Sequence, residues 1–449
     1  MRKSNTLDMT EGSIVKKLLL FAIPILLSSL LQHFYSIADS IIVGNFASDG
    51  TKAQAAIGAT THAIKILLNL VVGVSLGANV ICSRQKGAQD HVQLRKSMHT
   101  AVLVSFYLGI GLMALGLALS RRLLLIMNTP ADVLDDAVTY MRIIFLGVPA
   151  SIVYNFGSAI MRSHGDTKRS MYILGVTGAV NVLLNFLLVI GFHLDVVGVA
   201  IATIIAQYLS AFAVLYILFH QKQDYRLRFR ELRIHRRILW NIIAIGVPCG
   251  INGMLQSLSN VILQSSVNVF GKVVIAGNTA AADITCFAYL VNDAFAAACV
   301  SFAGQCFGAG KYKRLSKVAV TAAICDSVIV LAMAGVITCF ARPLLGLFNP
   351  NPQVVEAGLF RLLLLSWTTV LFGISECMVG CVRGMGKSMT PTVLNLFCLC
   401  GLRLAWALFV FPFCPQQPEY LYLCYPISWL AAMLIQTGSF IHFKKKLTT

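Results

Sequence analysis

The chain is a succession of long apolar runs divided by short polar breaks. A helix needs about 20 consecutive apolar residues to cross a bilayer core. Twelve runs qualify, near residues 18–46, 55–82, 98–120, 137–161, 171–191, 197–219, 238–270, 279–303, 315–341, 354–382, 389–412 and 420–443. Nothing between them is long enough for a soluble domain. The first run is too long for a signal peptide, and no small-residue cleavage site follows a short apolar core. The pattern predicts an all-α integral membrane protein with twelve transmembrane helices.

Against that background the polar positions inside the runs carry the information. Asp39 is the only charge between Leu18 and Phe46. A carboxylate deep in lipid costs roughly 2.5–3.5 kcal/mol on insertion scales, so it faces a cavity or a partner. Ser28, Gln32, Tyr35 and Asp39 follow one another at spacings of four, three and four residues, on one helix face. The seventh run carries Asn252, Gln256 and Asn260 at spacing four. Such stripes either join helices or line a cavity. Asn181 and Asn185, one turn apart in the fifth run, and Thr203 in the sixth add oxygens of the kind that hard cations accept. Further intramembrane charges are Lys65, Asp293, Asp326, Arg361, Glu376 and Arg403. Asp326 and the two arginines read as structural ion pairs. Glu376 and Asp293 read either as proton sites or as partners of those arginines.

The pattern also repeats. Pro24 and Gln32 match Pro248 and Gln256 at an offset of 224. Thereafter the offset is 221: Gly87-Ala88 meets Gly308-Ala309, Arg121 to Leu124 meets Arg342 to Leu345, Asn128 meets Asn349, and Met161 to Gly165 meets Val382 to Gly386. A collinear series at one offset is the mark of duplication. Each copy has six runs, so both copies keep one orientation, related by an axis along the membrane normal. The expected organisation is a six-helix lobe over 1–219, a basic linker over 220–237 and a second six-helix lobe over 238–449. Two such lobes facing a central cavity are a transporter architecture. Pro24, Pro149, Pro248, Pro391 and Pro426 lie in or beside the runs and allow bends. Asp39 has no charged counterpart: its repeat partner is Leu263.

Composition agrees. The sequence is 57% hydrophobic and 12% charged, with mean hydropathy +0.77, where a soluble domain carries about 25% charged residues. The net charge of +18 suggests nucleic acid until the charges are placed. With both termini cytoplasmic, 27 of the 36 Lys and Arg fall on the cytoplasmic side, and Lys52, Arg121, Arg122, Lys272 and Arg342 fall outside. That is the positive-inside bias of a plasma-membrane protein. The run RLRFRELRIHRR (226–237) reads as a linker on an anionic leaflet, with no nucleic-acid partner. Twelve of the 13 cysteines follow residue 248 without metal-ligand spacing. Cys377 and Cys381 read as packing residues, and a Cys414–Cys424 disulfide near the outer surface is an open alternative. No HExxH, phosphate-binding glycine loop, paired acidic motif or nucleophile elbow is present. An enzyme is therefore not expected, nor a resident cofactor, and transport energy must come from a gradient.

The opening MTEGSIVKKLLLFAIPILLSSLLQHFYSIADSIIVG resembles that of multidrug and toxic compound extrusion (MATE) transporters. SRQKGAQD, RSHGDTKRS, NVLLNFLLVIG, GVAIATIIAQ, FAGQCFGAGKYKR and VRGMGKSMTP are similar to the same family, in order, from about Glu11 to Lys446. The resemblance implies export of organic cations or amphipathic drugs in exchange for Na⁺ or H⁺. One branch couples through a first-helix aspartate, matching Asp39, with positions matching Asn181, Asn185 and Thr203. Relatives often carry aspartate where this chain has Asn185. Another branch uses a carboxylate of the seventh helix, where this chain has Gln256 and Asn260. The coupling site is therefore expected in the first lobe, with H⁺ or a transient Na⁺ at Asp39 and no tightly bound metal. Gln32, Tyr35, Asn252, Gln256, Asn260 and Glu376 are expected around the substrate, in a chain acting as a monomer in the lipid bilayer. The cavity residues are expected to be neutral or acidic. That weighs against a lipid-linked oligosaccharide flippase of the same superfamily, which would hold pyrophosphate with arginines.

Overall fold

A computed structural model of the chain describes residues 7–46, 50–127, 129–221, 226–415 and 417–448. Arg2, Lys3, Asn128, Lys222 and the side chain of Lys65 lie outside the described residues. Twelve helices are long and apolar enough to span a membrane. The first six are α1 (Ile14–Phe46), α2 (Gly50–Gly87), α3 (His91–Ile126), α4 (Ala131–Ser163), α5 (Lys168–Gly191) and α6 (Asp195–Phe219). The second six are α7 (Arg236–Asn268), α8 (Lys272–Gly308), α9 (Tyr312–Cys339), α10 (Pro352–Gly384), α11 (Met389–Phe413) and α12 (Pro418–Leu447). No strand occurs among the described residues. Helices satisfy every backbone group within one segment, which lipid demands.

The helices gather into two compact units, Met1–Leu7 with Leu27–Gly250, and Asp8–Leu26 with Ile251–Thr449. Each division point comes just after a proline, Pro24 in α1 and Pro248 in α7. A proline inside a helix removes one ladder bond and permits a bend. In the first unit α4 is the central helix, packed on α2, α3 and α6. In the second α10 takes that place, packed on α8, α9 and α12. Both are 33 residues long and begin 221 residues apart. Large apolar side chains such as Val176, Leu183, Phe212, Leu408 and Phe409 point outward, as they do where the solvent is lipid.

Small residues set the closest approaches. In the first unit Gly73 and Gly77 of α2 meet Gly246 and Gly250 of α7. A Cβ on Gly73 would sit 2.1 Å from the Gly250 nitrogen, and one on Gly77 2.3 Å from the Ile242 carbonyl oxygen. Two small-xxx-small faces thus let the backbones touch. In the second unit the start of the chain is held by Met9 N donating to Gln305 Oε1 at 3.2 Å, and by Phe21 edge-on to Phe302 at 5.7 Å. The turns after α4 and α10 use Gly165 and Gly386, at φ 86° and 79°. Those left-handed values suit glycine, and the two positions are repeat equivalents.

The basic linker is anchored. His99 Nε2 accepts from Arg228 N at 3.0 Å, Thr100 Oγ1 accepts from His235 N at 3.2 Å, and Arg95 pairs with Glu231 at 3.7 Å. One open alternative is closed here, and one expectation fails. Cys414 and Cys424 are free, Cys424 being buried in an apolar cluster with Leu263 and Tyr422. Arg361 and Arg403 have no carboxylate within ion-pair distance among the described residues, so they are not the partners of Asp326, Asp293 or Glu376. Among the described residues the buried pairing of that kind is Arg383 with Glu376, at 4.0 Å.

Candidate functional site

The first-unit site grows from the register of α1 on α5. The Tyr35 ring sits over Gly178, where a Cβ would come within 1.7 Å of it, and its hydroxyl donates to the Gly175 carbonyl at 3.0 Å. The absent side chain at Gly178 is what admits the ring. One helical turn beyond Tyr35 stands Asp39, and two turns beyond Gly178 stands Asn185. The two meet: Asn185 Nδ2 donates to Asp39 Oδ1 at 2.5 Å. Asn181, one turn below, offers its Oδ1 to the same amide at 3.4 Å. Thus the stripe read from the sequence joins helices at Tyr35 and forms a polar cluster at Asp39.

Asn185 is fully buried, and its Oδ1 has no hydrogen-bond partner. A buried, unspent acceptor beside a carboxylate can accept a hydrogen bond or contribute an oxygen to a cation. Below the cluster, Ile42, Val43, Val189 and Val199 close an apolar layer, with Tyr140 and Val182 against it. Thr203 bonds the Val199 carbonyl of its own helix at 2.9 Å, on the α6 turn that enters this layer. Directly after Asn185 the helix widens to a π-helix over Phe186–Gly191. Local widening of this kind is common beside functional residues. Gln32 lies on the exposed part of the α1 stripe. Tyr140 was not singled out in the sequence; it reaches the electrostatic field of Asp39 from the central helix. Its sole sequence signal is its place in the repeat, opposite Arg361.

The second unit places its polar residues differently. Gln256 and Asn260 line a cavity of about 370 Å³, together with Gln264, which extends the same α7 stripe by one more turn. Asn252 is buried on α7, outside that lining. Glu376 is also outside it, buried where Asn395 Nδ2 donates to its Oε1 at 3.4 Å and Gln436 Nε2 donates to Asn395 Oδ1 at 2.8 Å. The cavity wall instead carries Arg361 and Arg403. An expectation of neutral or acidic residues does not describe it. Asp293 is the acid on this wall, and it faces the field of Glu376 and Arg383.

Sequence comparison sets this geometry in a family. The MatE family model matches residues 24–187 and 248–409, one stretch in each half. The chain belongs to the MatE family. Its members are membrane transporters, so this MatE chain is a transporter and not an enzyme. Among its relatives, the "Probable multidrug resistance protein YpnP" of Bacillus subtilis is 30% identical over 88% of each chain. The "FAD transporter" of Shewanella oneidensis is 26% identical over 86% of each. A solved outward-facing MATE transporter of the MOP superfamily superposes with a TM-score of 0.93 at 20% identity, covering all of both chains. That likeness establishes the MatE fold across the whole length.

Proposed function

We propose that this MatE protein exports organic cations and amphipathic drugs by antiport against H⁺ or Na⁺, with Asp39 as the coupling carboxylate. The observation that carries the reading is the Asp39–Asn185 contact beside the unspent Asn185 Oδ1. Family membership and the multidrug names of its relatives support the substrate class.

The chemistry is competition for one charge. An ionised Asp39 favours a cationic ligand; a proton or Na⁺ arriving there removes that attraction. Asn181, Asn185 and Thr203 contribute neutral oxygens, so a second carboxylate is not needed for a proton and its lack weakens a Na⁺ site. An ion biases two states only through its different affinity for them. Alternating access then comes from bending of the Pro24 helix that carries Asp39. The charge distribution supports a plasma-membrane chain with both termini in the cytoplasm.

The test is efflux of a fluorescent organic cation from liposomes holding purified protein, under a pH gradient or a Na⁺ gradient alone. Transport by wild type under one gradient, lost in Asp39→Asn, is the expected result. An Asp39→Asn protein that still responds to the gradient would end the coupling role.

A further inference from the structure

The cavity in the second unit has a chemistry that cation export does not use. Arg361 and Arg403 are 7% and 6% exposed, yet neither has a carboxylate partner among the described residues. Removing an uncompensated cation from water costs several kcal/mol. The protein offsets part of that with neutral acceptors and ring faces. Arg361 donates to the Asn278 carbonyl. Arg403 donates to Ser428 Oγ at 3.0 Å and reaches Asn260 Oδ1 at 3.5 Å. The Arg403 guanidinium carbon stands 4.6 Å from the centre of the Tyr425 ring and 5.9 Å from that of Trp429. These are cation–π distances.

Arg361 Nε and Trp429 Nε1 are buried donors without a hydrogen-bond partner, and Trp429 is fully buried. Both residues line the cavity. Two full positive charges line a space whose lining carries one carboxylate, Asp293, which makes no ion pair with either of them among the described residues. The remaining wall combines Gln256, Gln264, Thr285 and Asp293 with aromatic rings: Tyr289 lies edge-on to Phe372 at 5.7 Å and to Trp429 at 6.2 Å. About 370 Å³ lies within the range of small-molecule sites. Guanidinium groups recognise carboxylate and phosphate oxygens in paired, planar geometry.

From this arrangement we infer that the second-unit cavity binds a planar aromatic anion, a fused ring carrying a phosphate or carboxylate group. Arg361 and Arg403 take the anionic group, and the Tyr425 and Phe372 rings flank the flat part. Such anions form a second ligand class beside the cations. Their binding is independent of the exporter reading, and only their passage across the membrane rests on it.

The probe is riboflavin 5′-phosphate, titrated against the full chain in phosphatidylcholine nanodiscs and followed by fluorescence anisotropy. Riboflavin, the same ring without phosphate, is the reference. The phosphate form should bind at least about tenfold more tightly than riboflavin, the size of effect expected of a buried charged contact. Arg361→Gln and Arg403→Gln should each weaken the phosphate form about tenfold and riboflavin much less. Arg403→Lys should retain part of the affinity, because charge survives while the fork geometry does not. Equal affinity for the two flavins overturns the inference, and so does a folded Arg361→Gln/Arg403→Gln protein that binds like wild type. If the variants fail to fold, the wild-type preference for phosphate over both riboflavin and an organic cation decides alone. Repeating the titration in phosphatidylglycerol nanodiscs separates the two sources of phosphate. Unchanged affinity assigns the site to a soluble anion; displacement by that lipid assigns it to a headgroup and overturns the soluble-ligand assignment. No ion gradient is used, so failure here removes the anion site alone, and failure of gradient-driven efflux removes the coupling role alone.

Discussion

The two units are copies of one helical plan with charge at different places. Asp39 corresponds to Leu263, which is buried in an apolar cluster. Counting from the equivalent starts of α5 and α11, Asn185 corresponds to Trp406, which packs against that same cluster. Where one copy has a carboxylate–amide contact, the other thus has a leucine and a tryptophan in one apolar cluster. The central helices reverse it again: Tyr140 of α4 corresponds to Arg361 of α10. The difference teaches that the backbone plan does not dictate the chemistry. Helix packing needs small residues, prolines and apolar faces at set positions, and both copies keep the first-helix proline and the glycine after the central helix. Charge in lipid is expensive everywhere, so it persists where it is used.

Exchanging the two chemistries tests the contrast. The largest effect is expected from Asp39→Asn, which should abolish the response of efflux to an imposed ion gradient while leaving the protein monodisperse in detergent. Next comes Leu263→Asp, which installs the first unit's charge in the second unit's apolar cluster. Without an amide partner it should lower stability by about 3 kcal/mol, read as a drop in thermal midpoint of the purified protein. An unchanged midpoint would mean that the second copy can host a carboxylate, and the contrast would lose its physical basis. Gly73→Leu forces side-chain atoms into the Gly250 backbone and should destabilise by about 2 kcal/mol. The same change at Gly111, where a Cβ meets nothing within 4 Å, serves as its control. The smallest effect is expected from Asn185→Asp. A second carboxylate beside Asp39 should raise the share of efflux driven by Na⁺ a few-fold over that driven by protons, measured in the same liposomes. No shift in ion preference would argue that Asn185 lies off the ion's path.

Much of this was legible in the sequence, because lipid leaves the chain few choices. The twelve runs became twelve helices, the offset of 221 became equal lengths for α4 and α10, and the Asp39 stripe became one face of α1. Pairings across helices were less legible. Arg361 and Arg403 looked like partners for Asp326 because a buried charge usually finds an opposite one. Instead carbonyls and aromatic rings surround them, and a run of apolar letters does not show which ring will stack on which guanidinium. Cys414 and Cys424 looked close enough to pair, but Cys424 is turned into the apolar cluster around Leu263. Tyr140 escaped notice because a tyrosine in an apolar helix is ordinary until its neighbours are known.

By itself, then, the sequence determined the solvent, the helix count, the duplication and the first-helix carboxylate that has no counterpart in it. Each of these depends on residues near one another along the chain, where hydropathy, spacing and charge act locally. The tertiary structure decided which amide meets Asp39, that Gly178 admits Tyr35 to set the register, and that two arginines share one cavity wall without an ion-pair partner among the described residues. Those outcomes depend on how helices rotate and slide against each other. Rotation is fixed by summed packing of many side chains, no one of which announces its partner in the order of the residues.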